Sequence, residues 1–261
     1  MIETISILGG RGKDGNAEPV ERIDLKMGDV VSVVGPTGSG KTTLINDLEL
    51  FAYSNTPTGR RVLINGVRPP PEYRDDPAHN PIALITQHTS FLSDMPVGDF
   101  LATHARIRSG DTQEANVAIE RTVAFANQLT GEPLATLTRM TELSGGQTRA
   151  LLIADAAIIC NTPIVLLDEV ENAGIHRTRA LELLREYRKI FIFVTHDPRI
   201  ALLSDYRVVM QGGRIVKLLR AGEAEKRLSL KVSRLDDTLS HLREKIRSGL
   251  ELTEWELEAV V

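Results

Sequence analysis

Apolar positions along the chain keep two rhythms. Residues 29–34 form a short, β-branched run that stops at Gly35-Pro36-Thr37-Gly38-Ser39-Gly40-Lys41-Thr42-Thr43, and beyond it Leu44, Ile45 and Leu48 recur at helical spacing. That order predicts strand, glycine loop and helix. Ile164-Val165-Leu166-Leu167 and Ile190-Phe191-Ile192-Phe193-Val194 are continuous apolar runs without alternation, as strands covered on both faces of a parallel sheet require. Helical periodicity over 177–189 lies between them and predicts a right-handed crossover within an α/β core.

Residues 88–151 lack comparable strands. Val117, Val123-Ala124 and Leu129 fall at helical spacing between turn signals at Ser109-Gly110 and Gly131-Glu132-Pro133, so a mainly helical insertion is expected. Gly9–Asn16 and Arg68–Pro71 read as exposed loops with no chemistry in their composition. After Gly212-Gly213 the chain turns polar and helical, with Leu228, Val232, Leu235, Leu239, Leu242 and Ile246 spaced 4, 3, 4, 3, 4. This is a heptad seam. It either packs on the parent domain or docks on another copy or partner, since a short helix needs tertiary support in both cases. The expected organisation is a main domain over 1–222 with the insertion at about 88–151, and a helical extension over 223–261.

Composition narrows the function. With 31 Lys and Arg against 35 Asp and Glu, the net charge is −4, which argues against a nucleic-acid binder built on global positive charge. An apolar share of 42% over 261 residues supplies a core. The single cysteine, Cys160, ends the run Ala156-Ala157-Ile158-Ile159, which predicts a buried, inert thiol in a cytosolic setting. Met1-Ile2-Glu3-Thr4 lacks the features of a secretory signal, and the best apolar stretch, Ala150–Cys160, is too short to span a bilayer and contains Asp155. A cytoplasmic chain is expected, free or peripheral on the cytoplasmic face of a membrane.

Two motifs carry chemistry. Gly35-x-x-x-x-Gly40-Lys41-Thr42, between strand and helix, is a phosphate-binding loop. Its glycines let backbone N–H groups converge on phosphate, so Gly35, Pro36, Thr37, Gly38, Ser39, Gly40, Lys41, Thr42 and Thr43 are candidate nucleotide contacts, Lys41 for the β- and γ-phosphates and Thr42 for Mg²⁺. The run Ile164–Leu167 ends in Asp168-Glu169. Asp168 is placed to hold Mg²⁺ and Glu169 to polarise an attacking water.

Leu143-Ser144-Gly145-Gly146-Gln147 is an unusual sequence for a simple helix cap. With it, the chain resembles the ATP-binding cassette (ABC) ATPase family over roughly residues 20–215. The resemblance implies a P-loop NTPase-type, mostly parallel α/β core, a helical insertion, and ATP and Mg²⁺ as cofactors. It also implies that Ser144, Gly145, Gly146 and Gln147 cap the γ-phosphate of ATP on an opposite subunit. Gln87, after the run Ile82–Thr86, looks like the family's glutamine that contacts Mg²⁺ and water, and His196 like its switch histidine on the γ-phosphate. The active unit implied is a homodimer, or a pair with a related ATPase, holding two ATP molecules head to tail and powering a separate membrane subunit docked around Gln87–Phe100. The alternative is a soluble ABC ATPase that drives assembly, maturation or remodelling of a partner protein. A DNA-repair or ribosome-acting member is disfavoured by the acidic balance and by the lack of a long coiled-coil insertion and a second cassette. Two departures stand out: no Phe, Tyr or Trp precedes Phe51 to stack on adenine, and Val170–His176 replaces the family's usual text, with Ile175 where a loop aspartate is expected.

Overall fold

The computed structural model describes residues 1–76, 79–91, 93–109, 112–169 and 177–251. Strands β1 (Thr4–Leu8), β2 (Arg22–Lys26) and β4 (Arg61–Ile64) form an antiparallel sheet in the order β2-β1-β4. A second sheet runs β5 (Ile82–Thr86), β6 (Ile164–Asp168), β7 (Ile190–Val194), β3 (Val30–Val34), β8 (Tyr206–Gln211), β9 (Arg214–Arg220). Its β5-β6-β7-β3-β8 core is parallel and β9 is antiparallel.

Two apolar cores meet on the large sheet. Ile164, Leu166, Ile190, Ile192 and Val194 face the small sheet and α1 (Lys41–Glu49), whereas Val165, Leu167, Phe191 and Phe193 face α3 (Val97–Ser109), α4 (Thr112–Leu129), α5 (Gly145–Ala157) and α6 (Arg177–Glu186). Successive side chains of one strand thus enter different cores, which is why these strands stay apolar up to Asp168 at the end of β6. The remaining elements are the short α2 (Glu72–Asp75), a 3₁₀ turn at Met140–Glu142, α7 (Pro198–Leu203) and α8 (Glu223–Arg247). No described helix is long and apolar enough to cross a membrane.

α8 rests on α7 through its first turns, with Arg207 paired to Glu225 at 3.2 Å and Ser229 buried. Along its seam, Leu228, Leu235, Leu239 and Ile246 are about half exposed, whereas Val232 and Leu242 are partly buried.

Cys160 departs from expectation. It is half-buried, and its Sγ donates to Asp155 Oδ2 at 3.6 Å and lies 3.7 Å from His104 Nε2. The reason is local: α5 ends at Ala157, and the Cys160 N–H donates to the Asp155 carbonyl at 2.9 Å, turning the thiol back beside the carboxylate. The hydrogen bond that His104 makes to the Asp155 carboxylate, then the one it shares with Cys160, raises its pKa to about 10.

Candidate functional site

The loop between β3 and α1 can be drawn only with glycine at its tight points. A Cβ on Gly35 would lie 2.3 Å from the Met210 carbonyl oxygen and 2.7 Å from Ser39 Oγ, and Gly40 caps α1 at φ +101 with Gly213 Cα 2.9 Å from where its Cβ would be. Lys41, mostly buried, donates from Nζ to the Gly35 carbonyl at 2.9 Å and the Pro36 carbonyl at 3.3 Å. Ser39 Oγ is buried without a hydrogen-bond partner. A cation turned onto its own loop's carbonyls and an orphaned hydroxyl, at a helix amino terminus, fit a ligand that brings anionic oxygens.

Three strand ends converge on this loop. Thr86 pairs with Asp168, and Asp168 with Val194, in the parallel register, so the residues that follow β5, β6 and β7 emerge side by side. The resulting cleft, of ≈ 530 Å³, is lined by Lys13, residues 37–43, Thr86, Gln87, His88, Asp168, Glu169, Val194 and His196. Asp168, Thr42 and Gln87, which carry carboxylate, hydroxyl and amide oxygens, all line this cleft, a hard donor set suited to Mg²⁺. Glu169 adopts φ +51, an uncommon left-handed backbone for a non-glycine, and its N–H donates to the Val194 carbonyl at 3.0 Å. Its Oε1 lies 3.3 Å from His196 Nε2.

The signature lies elsewhere. Ser144, Gly145, Gly146 and Gln147 do not line the cleft. The reading of this sequence as unusual for a helix cap needs correction, because Ser144 and Gln147 form a full capping box at the start of α5: the Gln147 N–H donates to Ser144 Oγ at 3.3 Å, and the Ser144 N–H to Gln147 Oε1 at 2.9 Å. Ser-x-x-Gln is a regular capping pattern. Gln147 Nε2 also donates to the carbonyls of Glu132 and Pro133, both at 3.3 Å, and Gly145 remains exposed.

Two positively charged residues escaped the sequence reading. Lys13, from the loop judged featureless, donates from Nζ to the Gly38 carbonyl at 2.9 Å; only tertiary folding brings positions 25 residues apart together here, so no local signal marks it. Arg149 donates to the Gln87 carbonyl and to the Gly145 carbonyl, each at 2.6 Å. It ties the end of β5 to the start of α5. Val170–His176, including Ile175, lies outside the described residues.

Comparison with known proteins decides the family. The ABC transporter family matches residues 21–172. An uncharacterized ABC transporter ATP-binding protein of Methanocaldococcus jannaschii is 46% identical over 260 residues, covering 100% of this chain and 98% of that protein. The chain belongs to the ABC transporter family. A spermidine/putrescine import ATP-binding protein, PotA of Lawsonia intracellularis, is 32% identical over 76% of this chain, which spans 54% of that relative's length. In fold, the chain is similar to cbiO1 of Clostridium perfringens, at TM-score 0.67 and 21% identity over 94% of this chain and 100% of that one. A bacterial Atm1-family exporter with ATP bound gives TM-score 0.62 at 22% identity, over 90% of this chain and 43% of that one. This ABC protein is accordingly an ATP-binding and ATP-hydrolysing subunit.

Proposed function

We propose that the chain acts as half of a head-to-tail pair that encloses two ATP molecules, each between the cleft of one copy and the signature of the other. The observation that supports this reading is a separation. Lys41, Thr42, Asp168, Glu169 and His196 share one cleft, and Ser144, Gly145, Gly146 and Gln147 are outside it. A second copy, or a related ATPase, would bring the Ser144 hydroxyl and the α5 amino terminus to the terminal phosphate.

Within that pair, the N–H groups of the Gly35–Thr43 loop receive the phosphates and Lys41 reaches the β- and γ-oxygens. Thr42, Gln87 and Asp168 would hold Mg²⁺, which supplies charge neutralisation on the phosphate oxygens when bound. Glu169 accepts a proton from water as the water oxygen bonds to the γ-phosphorus and the bond to the ADP oxygen breaks. His196, 3.3 Å from Glu169, holds that carboxylate in place. Lys13 supplies a further cation at the edge of the cleft, in a chain with no aromatic residue before Phe51.

The work is assigned to a separate membrane-embedded subunit at the cytoplasmic face, docked around Gln87–Phe100. The transport names of the matching relatives favour this over remodelling of a soluble partner. ATP closes the pair and hydrolysis reopens it, because the closed state alone uses both halves of each site.

Light scattering of Glu169→Gln with and without Mg-ATP tests the pair. The amide keeps the shape but cannot take the proton, so the variant should shift from monomer to dimer on adding nucleotide and turn over negligibly. Wild-type turnover would remove Glu169 from its assigned role, and a monomer at saturating ATP would remove self-pairing. Co-purification with a membrane-embedded protein is the expected result for the docked partner; a soluble protein in its place would favour remodelling.

A further inference from the structure

Away from the nucleotide cleft, three side chains with metal-ligating chemistry meet where α3, the end of α5 and the lead into β6 come together. His104 Nδ1 lies 3.0 Å from Asp155 Oδ1, and Cys160 Sγ lies 3.7 Å from His104 Nε2 and 3.6 Å from Asp155 Oδ2. One ligand atom from each residue falls within 4.8 Å of the other two. With bonds of about 2.0 Å to nitrogen and oxygen and about 2.3 Å to sulfur, tetrahedral coordination places neighbouring ligand atoms roughly 3.3–3.6 Å apart. With one nitrogen of His104 as ligand, the three ligand atoms lie within 4.8 Å of one another, so small side-chain rotations bring them to that spacing.

We infer that His104, Asp155 and Cys160 form a binding site for a borderline-soft divalent cation, with Zn²⁺ the best match, and that the ion clamps α3 to the α5–β6 junction. Thiolate, imidazole and carboxylate together select zinc-like ions over Mg²⁺ or Ca²⁺, which prefer oxygen donors alone. Charge also balances: binding releases the thiol proton and any imidazole proton, leaving a thiolate, a neutral imidazole and a carboxylate around a dication. The ligands are held before the ion arrives. Asp155 is buried on α5, the Cys160 N–H is fixed to the Asp155 carbonyl, and the next two residues are pinned by Lys189, whose Nζ donates to Asn161 Oδ1 at 2.8 Å and the Thr162 carbonyl at 2.9 Å. The His104 side chain keeps 25% of its surface in solvent, which gives an ion a way in and leaves a fourth position for water.

The clamp would join two bodies that the nucleotide site depends on. α3 belongs to the helical layer, whereas Cys160 is followed by β6, the strand that ends in Asp168. An ion at this point ties the helical layer to the strand that carries the acidic pair.

Cobalt titration of the nucleotide-free full chain tests the site. A thiolate bound to Co²⁺ gives a charge-transfer band in the near ultraviolet, and because the sequence has one cysteine, such a band reports Cys160 alone. The expected result is a band that saturates at one Co²⁺ per chain, is displaced by Zn²⁺, and is absent from Cys160→Ser. In His104→Ala, the apparent affinity should fall by more than about tenfold, with circular dichroism confirming that the variant is folded. Asp155→Asn should weaken binding likewise, and the partly exposed His104 keeps the test decisive if that buried substitution does not fold. Absence of the band at millimolar Co²⁺, or an affinity unchanged in His104→Ala, would overturn the site.

Discussion

Single residues at the cleft are held under constraints that ordinary side chains do not meet. Glu169 keeps a left-handed backbone at φ +51, at a cost of about 1–2 kcal/mol, and its N–H bond to the Val194 carbonyl holds it there. That geometry aims the carboxylate at His196 instead of continuing the strand. Lys41 is the other decisive residue. Its replacement by Ala removes the charge proposed to meet phosphate, so nucleotide affinity should drop roughly ten- to hundredfold; an unchanged isotherm in a nucleotide titration would count against the assignment. Gly40 tolerates no side chain for two reasons at once, positive φ and the approach of Gly213. Gly40→Ala should therefore lower both stability and nucleotide binding, the first by about 1–3 kcal/mol in urea melts.

Among the elements, α5 does the most. Its first turn presents the signature, its capping box fixes that turn, and Arg149 links the Gly145 carbonyl to the Gln87 carbonyl at the end of β5. Movement of the β5 end is thereby coupled to the face that the proposed pair would bury. Arg149→Ala should leave nucleotide binding by an isolated chain close to wild type while weakening ATP-dependent dimerisation of the Glu169→Gln background. A dimer that forms equally well would show that the link is structural only. α8 has a partly exposed seam and rests mainly on α7. Removing the chain beyond Gly222 should preserve nucleotide binding and alter association in gel filtration; a truncated protein that does not fold would make α8 part of the core.

Across the whole molecule, a buried ionic network fastens the small sheet to the nucleotide cleft. Arg60, fully buried, donates to Glu18 at 2.6 Å, to Asp47 of α1 at 2.9 Å and to the Gly213 carbonyl at 2.9 Å. Burial opposes its charge, yet the bonds to Glu18 and Asp47 outweigh burial and raise its pKa. Glu18 also accepts from the N–H groups of Gly10 and Ile215, so one cluster positions the Lys13 loop, α1 and the β8–β9 hairpin. Arg60→Ala strands two buried carboxylates and should cost about 3–5 kcal/mol, read from the urea midpoint. The reach of local pattern is clear at this scale. Continuous apolar runs marked β3, β6 and β7 because both faces of those strands are covered, and the glycine loop and the Asp168-Glu169 pair were legible because each function there is carried by adjacent residues. The period-2 alternation of Ile5 and Ile7, and of Ile23 and Leu25, was present too, but strands that short give weak signals until they pair. Sequence alone determined the family, the phosphate loop and the order of the candidate site residues, since contiguous residues dictate backbone shape and chemistry there. Tertiary structure alone decided that Lys13 joins the cleft, that the signature stands apart from it, and that His104, Asp155 and Cys160 meet, because those contacts join segments whose separation along the chain leaves no local trace.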